Sequence, residues 1–171
     1  MKNSSIKLWE ASDSDEDFLR ELFYLDRAEP IQYLGRDTRE KLLEQQYQTY
    51  SSHMASLSKV QDSIIVENET PIGRLIVQKE AKKWHVADIC LHPNRRGKGI
   101  GTLLLLSMIK EAGFEQCPIS VWVFQQNPCV RLYHRLGFKE EKEINGYVYM
   151  ILPIVKSCEL DIEKRLSHTR Q

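Results

Sequence analysis

The residues best placed to do chemistry lie in one stretch, Pro93-Asn94-Arg95-Arg96-Gly97-Lys98-Gly99-Ile100-Gly101-Thr102. Its glycines alternate with other residues between a run of cations and the apolar Leu103-Leu104-Leu105-Leu106. Glycine lets a backbone turn tightly and approach a ligand closely. A helix that begins in such a turn aims free N–H groups and a partial positive charge into it. The natural guest is an anion, most often a phosphate, and Arg95, Arg96 and Lys98 add full charges. The glycines alone would equally suit a plain strand-to-helix connection. Two phosphate motifs are excluded. A P-loop needs four residues between its first glycine and Gly-Lys-Ser/Thr. The dinucleotide fingerprint needs Gly-x-Gly-x-x-Gly in a βαβ unit with a ribose-binding acid, whereas the spacing here is Gly97-x-Gly99-x-Gly101.

Other reactive side chains are less suggestive. Cys90, Cys117, Cys129 and Cys158 are widely spaced with no Cys-x-x-Cys, which indicates neither a zinc site nor a disulfide scaffold. Cys90 reads as a reduced thiol in an apolar strand, and a cytoplasmic protein is expected. Neither Cys90 nor Cys129 has a neighbouring-base signature of an acyl carrier. The acidic run Asp13-Ser14-Asp15-Glu16-Asp17 reads as a helix start, with Ser14 as cap and Asp17 in capping-box register, rather than as a metal site. With 24 basic and 24 acidic residues the net charge is zero, against a nucleic-acid partner held by bulk electrostatics. The longest apolar runs fall far short of a membrane span.

The elements that must position the loop follow from periodicity. Ile6–Glu10 alternate as a strand. Phe18, Leu19, Leu22, Phe23 and Leu25 give a first helix an apolar face, and a polar, aromatic loop covers 27–36. A second helix runs from about Asp37 to Leu57, with Leu42, Leu43, Gln46, Tyr47, Tyr50 and Met54 as its inward stripe. Gln46 and His53, seven apart on one face, suit either a pocket wall or a core edge. A meander follows through strands at 60–68, 72–77 and 84–92. The helix at 100–113 is apolar on nearly every side and must be buried. A strand at 119–124 leads through Asn127-Pro128, a cap and first helical position, into a helix that stops at Gly137. Strands at 139–143 and 147–152 flank an Asn145-Gly146 turn. The order β-α-α-β-β-β-α-β-α-β-β describes one α/β domain, residues 1–155, around a mixed, mostly antiparallel central sheet flanked by helices. Residues 156–171 read as a polar C-terminal tail or short helix.

Two motifs make this order specific. Arg96-x-x-Gly99-x-Gly101 resembles the pyrophosphate loop of the GNAT family of N-acetyltransferases. Asn127-Pro128, followed by Leu132-Tyr133-His134-Arg135-Leu136-Gly137-Phe138, is similar to that family's Asn-led helix ending Leu-Tyr-x-x-x-Gly-Phe. With their strands the motifs span residues 84–138, and the preceding meander and following hairpin fit the same GNAT-type fold.

The resemblance implies acetyl-coenzyme A as co-substrate and no metal. Ile89, Cys90 and Leu91 would pair with the pantetheine arm where their strand splays from the next. The amides of Gly97, Lys98, Gly99, Ile100, Gly101 and Thr102 would receive the pyrophosphate, with Arg96 opening the loop. Asn127 would approach the coenzyme arm and Tyr133 its sulfur. A phenol, with pKa about 10, can donate to a leaving thiolate without ionising at neutral pH. Asp88, where many relatives place a Glu, could take the amine's proton through water, or serve as a structural carboxylate. Some relatives use a Glu on the fifth strand, but that position here is Trp122.

Substrate choice in the family comes from the N-terminal helices and the final hairpin, which directs attention to Tyr24, Arg27, Tyr33 and Gln46. The expectation is an N-acetyltransferase moving an acetyl group directly to a primary amine of a small molecule or peptide. It would act as monomer or homodimer, without nucleic-acid or membrane partners. The alternative is a coenzyme A-binding sensor or interaction module without turnover.

Overall fold

The computed structural model describes residues 5–154, so the expected tail at 156–171 and Cys158 lie outside the described residues. The elements follow the expected order. They are β1 (Ile6–Glu10), α1 (Glu16–Arg27), α2 (Arg36–Ser56), β2 (Val60–Glu67), β3 (Thr70–Glu80), β4 (Lys83–Leu91), α3 (Ile100–Phe114), β5 (Ile119–Phe124), α4 (Cys129–Arg135), β6 (Lys139–Ile144) and β7 (Tyr147–Leu152). The strands form one seven-stranded sheet in the order β1-β2-β3-β4-β5-β7-β6. β1–β2, β2–β3, β5–β7 and β6–β7 are antiparallel. β4 and β5 run parallel, paired only at Trp84↔Ile119, His85↔Ser120 and Val86↔Val121. The described residues form two compact units, one of residues 5–78 with Ala87–Ile100, the other of Lys79–Val86 with residues 101–154.

In the first unit the amphipathic α1 packs on the largely polar α2 through aromatic rings. Phe23 meets Tyr47 edge-on at 5.3 Å and Tyr50 at 5.0 Å between centroids. Ile64, Ile65 and Val66 of β2 and Ile72, Ile76 and Val77 of β3 are buried. The β2–β3 register slips between Ile65, opposite Gly73, and Val66, opposite Pro71, so β3 carries a bulge at Ile72. A Cβ on Gly73 would lie 2.4 Å from the Cys90 carbonyl oxygen, so only glycine allows this approach to β4.

In the second unit α3 buries Leu104, Leu105, Leu106, Met108, Ile109 and Ala112, but Leu103 is 56% exposed. The expected all-round burial of this helix is therefore interrupted by an outer stripe of Leu103, Ser107, Lys110 and Phe114 at helical spacing. β6, Lys-Glu-Glu-Lys-Glu-Ile, is exposed throughout, and charges on an edge strand discourage pairing with other chains. Asn145 and Gly146 both have positive φ, 52° and 78°, as a tight hairpin turn demands.

Three local expectations are corrected. The N-cap of α1 is Asp15, not Ser14, and the 3-10 turn before it is capped by Ser12. The Ser12 N–H and hydroxyl each donate to Asp15 at 2.9 Å, and the 3-10 turn at Asp13–Asp15 runs into α1. α4 begins at Cys129, one residue later than read. The Asn127 carboxamide oxygen accepts from the Cys129 N–H at 2.9 Å. Gln46 leaves the inward stripe of α2. It is exposed, as is His53, because the buried face is set by Leu43 and Tyr47, four apart.

Candidate functional site

Asp88 sits on β4, on the same side as Trp84, Val86 and Cys90 by strand alternation. Tyr50, one helical turn beyond Tyr47 on α2, donates its hydroxyl to Asp88 Oδ2 at 2.5 Å. Arg74 of β3 donates through Nη1 to the Tyr50 oxygen at 3.3 Å. Its other edge is fixed on Asp62 of β2 by two bonds, Nε to Oδ1 at 3.0 Å and Nη2 to Oδ2 at 2.6 Å. Ile64 opposes Arg74 in the ladder, so Asp62 is its diagonal same-face neighbour. The fork-on-carboxylate geometry is the strongest form of this pair. From α1, the Arg27 guanidinium lies 3.9 Å from the Phe23 ring centroid and 5.5 Å from that of Tyr50. It also reaches Asp26 at 3.3 Å.

The electrostatics follow from this packing. Burial raises the pKa of Asp88, opposed by the Tyr50 hydrogen bond and by Arg27 and Arg74. Burial and the adjacent Asp88 charge raise Tyr50 well above the phenol range, so it stays a proton donor. Burial, with Asp26 and Asp88 nearby, pushes the Cys90 thiol up to about 12. It remains a thiol near neutral pH, a poor nucleophile.

The glycine loop leaves β4 through a 3-10 turn at Pro93–Arg95 and enters α3 at Ile100. Gly97 and Gly99 have φ of +72° and +79°, which side chains rarely adopt. A Cβ added at Gly97, Gly99 or Gly101 would meet no atom within 4 Å, so the backbone faces open space. The cations are arranged differently from the expectation that all three charge the loop. Arg95 pairs with Glu67 at 3.3 Å. Arg96 donates to the Leu91 carbonyl at 2.8 Å and to Asp26 at 2.7 Å, tying the end of β4 to α1. Lys98 is exposed and has no ion pair among the described residues. The backbone of Ile89, Cys90 and Leu91 lies beyond the last pair of the β4–β5 ladder.

In the second unit Tyr133 is 3% exposed and meets Phe138 edge-on at 5.2 Å between centroids. Gly137, with φ of +95°, ends α4, and the Phe138 N–H returns to the Tyr133 carbonyl at 3.0 Å.

Of the remaining expected acceptor contacts, Arg27 alone adjoins Asp88. Tyr24 instead donates to Glu44, which also receives Arg20 at 2.5 Å, so it braces α1 on α2. Tyr33 is 79% exposed on a turn and Gln46 is exposed on α2. Sequence reasoning missed Asp26, Asp62 and Arg74. A signal for Arg74 existed: it is the one charge within the apolar run 72–77. Among the described residues no group of three or more His, Cys, Asp or Glu could hold a metal ion. No helix among them is long and apolar enough to cross a membrane.

The family model described as Acetyltransferase (GNAT) family matches residues 17–138, most of the chain. The chain belongs to the GNAT family. Similar solved structures include a PaiA N-acetyltransferase of Thermoplasma acidophilum in complex with coenzyme A. It is 20% identical with a TM-score of 0.68, covering 87% of this GNAT protein and 99% of that chain. The ribosomal-protein-S18-alanine N-acetyltransferase of Escherichia coli is 17% identical with a TM-score of 0.64, over 91% and 98% of the two chains. An uncharacterized N-acetyltransferase of Methanocaldococcus jannaschii is 32% identical over 78 residues, 44% of this chain. The match spans only 34% of that relative's length.

Proposed function

We propose that this GNAT protein moves the acetyl group of acetyl-coenzyme A directly to a primary amine of a small molecule or peptide. The observation that carries the reading is the loop of Gly97–Gly101. Two left-handed glycines open onto free space where a helix of 15 residues begins. Converging N–H groups and a helix N-terminus suit a pyrophosphate, so the residues present fit the coenzyme. The amides of Gly97, Lys98, Gly99, Ile100, Gly101 and Thr102 would hold it, with the Lys98 ammonium adding charge. Arg96 would brace the loop through Leu91 and Asp26. Ile89, Cys90 and Leu91 would pair with the pantetheine arm. Asn127, its oxygen already used as a helix cap, would approach that arm with its amide nitrogen.

Bound acetyl-coenzyme A supplies an acetyl group activated as a thioester. Asp88 takes a proton from the acceptor amine, directly or through water, and its raised pKa suits that task. The N–H near Leu91 polarises the carbonyl that is attacked. Tyr133 gives a proton to the departing sulfur. Arg27 offers a cation to an anionic group on the acceptor. Holding both reactants in place supplies most of the rate. The high pKa of Cys90 favours this direct route over an acyl-enzyme.

Calorimetric titration with acetyl-coenzyme A, then a free-thiol assay across a panel of amines and peptides, tests the reading. Binding with thiol release on one acceptor class is expected. Binding without release on any acceptor would favour a coenzyme sensor, and absence of binding would remove the coenzyme loop and the function with it.

A further inference from the structure

We propose that Tyr50 is a positioning residue, whose hydroxyl, steadied by Arg74, fixes Oδ2 of Asp88 and leaves Oδ1 to accept the proton of the acceptor amine. The proposal rests on Asp88 being the base. Its ground is the division of partners among Asp62, Arg74, Tyr50 and Asp88. Arg74 is close enough to reach Tyr50, yet two of its bonds go to Asp62. Its bonds to a carboxylate therefore go to Asp62, and its charge acts on Asp88 only from a distance. Among the described residues Asp88 has no ion-pair partner and is held by a neutral phenol. An arginine forked onto Asp88 would occupy both oxygens and make the carboxylate a weaker base. A single phenolic donor fixes the rotamer and leaves one oxygen open.

The ring is well fixed. Tyr50 packs against Phe23 at 5.0 Å and Tyr47 at 6.5 Å between centroids. The Arg74 N–H fills one lone pair of the phenol oxygen, which directs its single proton to Asp88. The groups that face Asp88 are Asp26 and Arg27 from α1, Tyr50 from α2, Arg74 from β3 and the Cys90 thiol from β4 itself. The Tyr50 bond favours the charged carboxylate, so its loss leaves burial less opposed and raises the pKa of Asp88 further.

Tyr50→Phe keeps the ring and removes only the hydroxyl. Two readouts on the full chain test the idea. The first is carbon-13 NMR titration of protein labelled at the aspartate carboxyl, with the Asp88 signal assigned by its absence in Asp88→Asn. The second is the pH profile of kcat/KM with benzylamine as a generic primary-amine probe. Asp88 should titrate at higher pH in Tyr50→Phe, and the acidic limb of the profile should move up with it. At pH 7 kcat/KM should fall about tenfold, a part of the roughly 10²–10⁴-fold that a positioned base supplies. An unmoved Asp88 titration overturns the proposal, as does a limb that vanishes in Asp88→Asn but stays put in Tyr50→Phe. A limb retained in Asp88→Asn instead removes Asp88 as base, whatever the NMR shows for Tyr50. Should Tyr50→Phe fail to fold, 3-fluorotyrosine at position 50, a stronger donor, must move the Asp88 titration and the limb to lower pH; no movement refutes the role.

Discussion

Alanine at Gly99 and alanine at Gly101 should change stability in opposite directions, although the two positions are separated by one residue. Gly99 has φ of +79°, and nothing within 4 Å would touch an added Cβ. The cost of Gly99→Ala in the free protein is therefore the backbone cost alone, about 1–2 kcal/mol for an L-residue in left-handed conformation. For a chain of 150–250 residues, each kcal/mol moves Tm by roughly 2–4 °C, so a fall of about 2–8 °C is expected. Gly101 lies inside α3, outside the positive-φ set, and is equally open. Alanine there should stabilise the helix by up to about 1 kcal/mol and raise Tm by up to about 4 °C. Differential scanning calorimetry reads both shifts. Isothermal titration then asks whether Gly99→Ala, still folded at the assay temperature, binds acetyl-coenzyme A at least about tenfold more weakly, a loss of ~1.4 kcal/mol. Equal and positive Tm shifts for the two variants would refute the left-handed loop. Wild-type affinity in Gly99→Ala would refute the loop as the pyrophosphate cradle.

Tyr133→Phe should lower kcat and leave the affinity for acetyl-coenzyme A unchanged, since the ring keeps its packing on Phe138; an unchanged kcat makes Tyr133 core filling only. Arg74→Met should destabilise by about 2–3 kcal/mol in urea unfolding. That is below the roughly 3–5 kcal/mol of a fully buried broken pair, because the Asp62 side chain stays 30% exposed; a double-mutant cycle with Asp62→Ala should show coupling. Glu44 is pulled down to about 2 by hydrogen bonds from Arg20, Tyr24 and Gln48. A carboxylate depressed on folding contributes stability above its usual pKa and loses it as pH falls through the folded value. Tm should therefore decline from about pH 4.5 towards pH 2, and Glu44→Gln should flatten that decline in a thermal-melt series.

The order of elements was legible because each is carried by local signals: alternation in β5, the Asn145-Gly146 turn, the glycine at 137. The coenzyme loop and the Asn127–Phe138 helix were legible because their spacing is itself the motif. What escaped depends on register and long-range contact. Asp62 meets Arg74 on one face only through the β2–β3 pairing. Asp26 reaches Arg96 across 70 positions of chain, so a cation that reads as phosphate-binding is turned to an acid on α1. Gln46 was misread because a polar residue beside Tyr47 fits an inward stripe as well as an outward one until the helix phase is fixed. The link from Tyr50 to Asp88 joins two residues that were each singled out, but no spacing rule connects a helix side chain to a strand 38 positions later.

β4 changes unit partway along its length: Lys83–Val86 belong to the second unit and Ala87–Leu91 to the first. Protein synthesis releases the N-terminal segments first. A nascent chain that has reached the end of β3 already carries α1, α2 and three strands, but it cannot finish the first unit until Ile100 emerges. Until Leu91 has emerged, β3 lacks its next neighbour, β4, and presents an open edge to other chains. A ribosome pausing in this interval would expose an aggregation-prone intermediate. For the same reason a single cut in the gene cannot deliver either unit whole: each is made of two separate segments of chain.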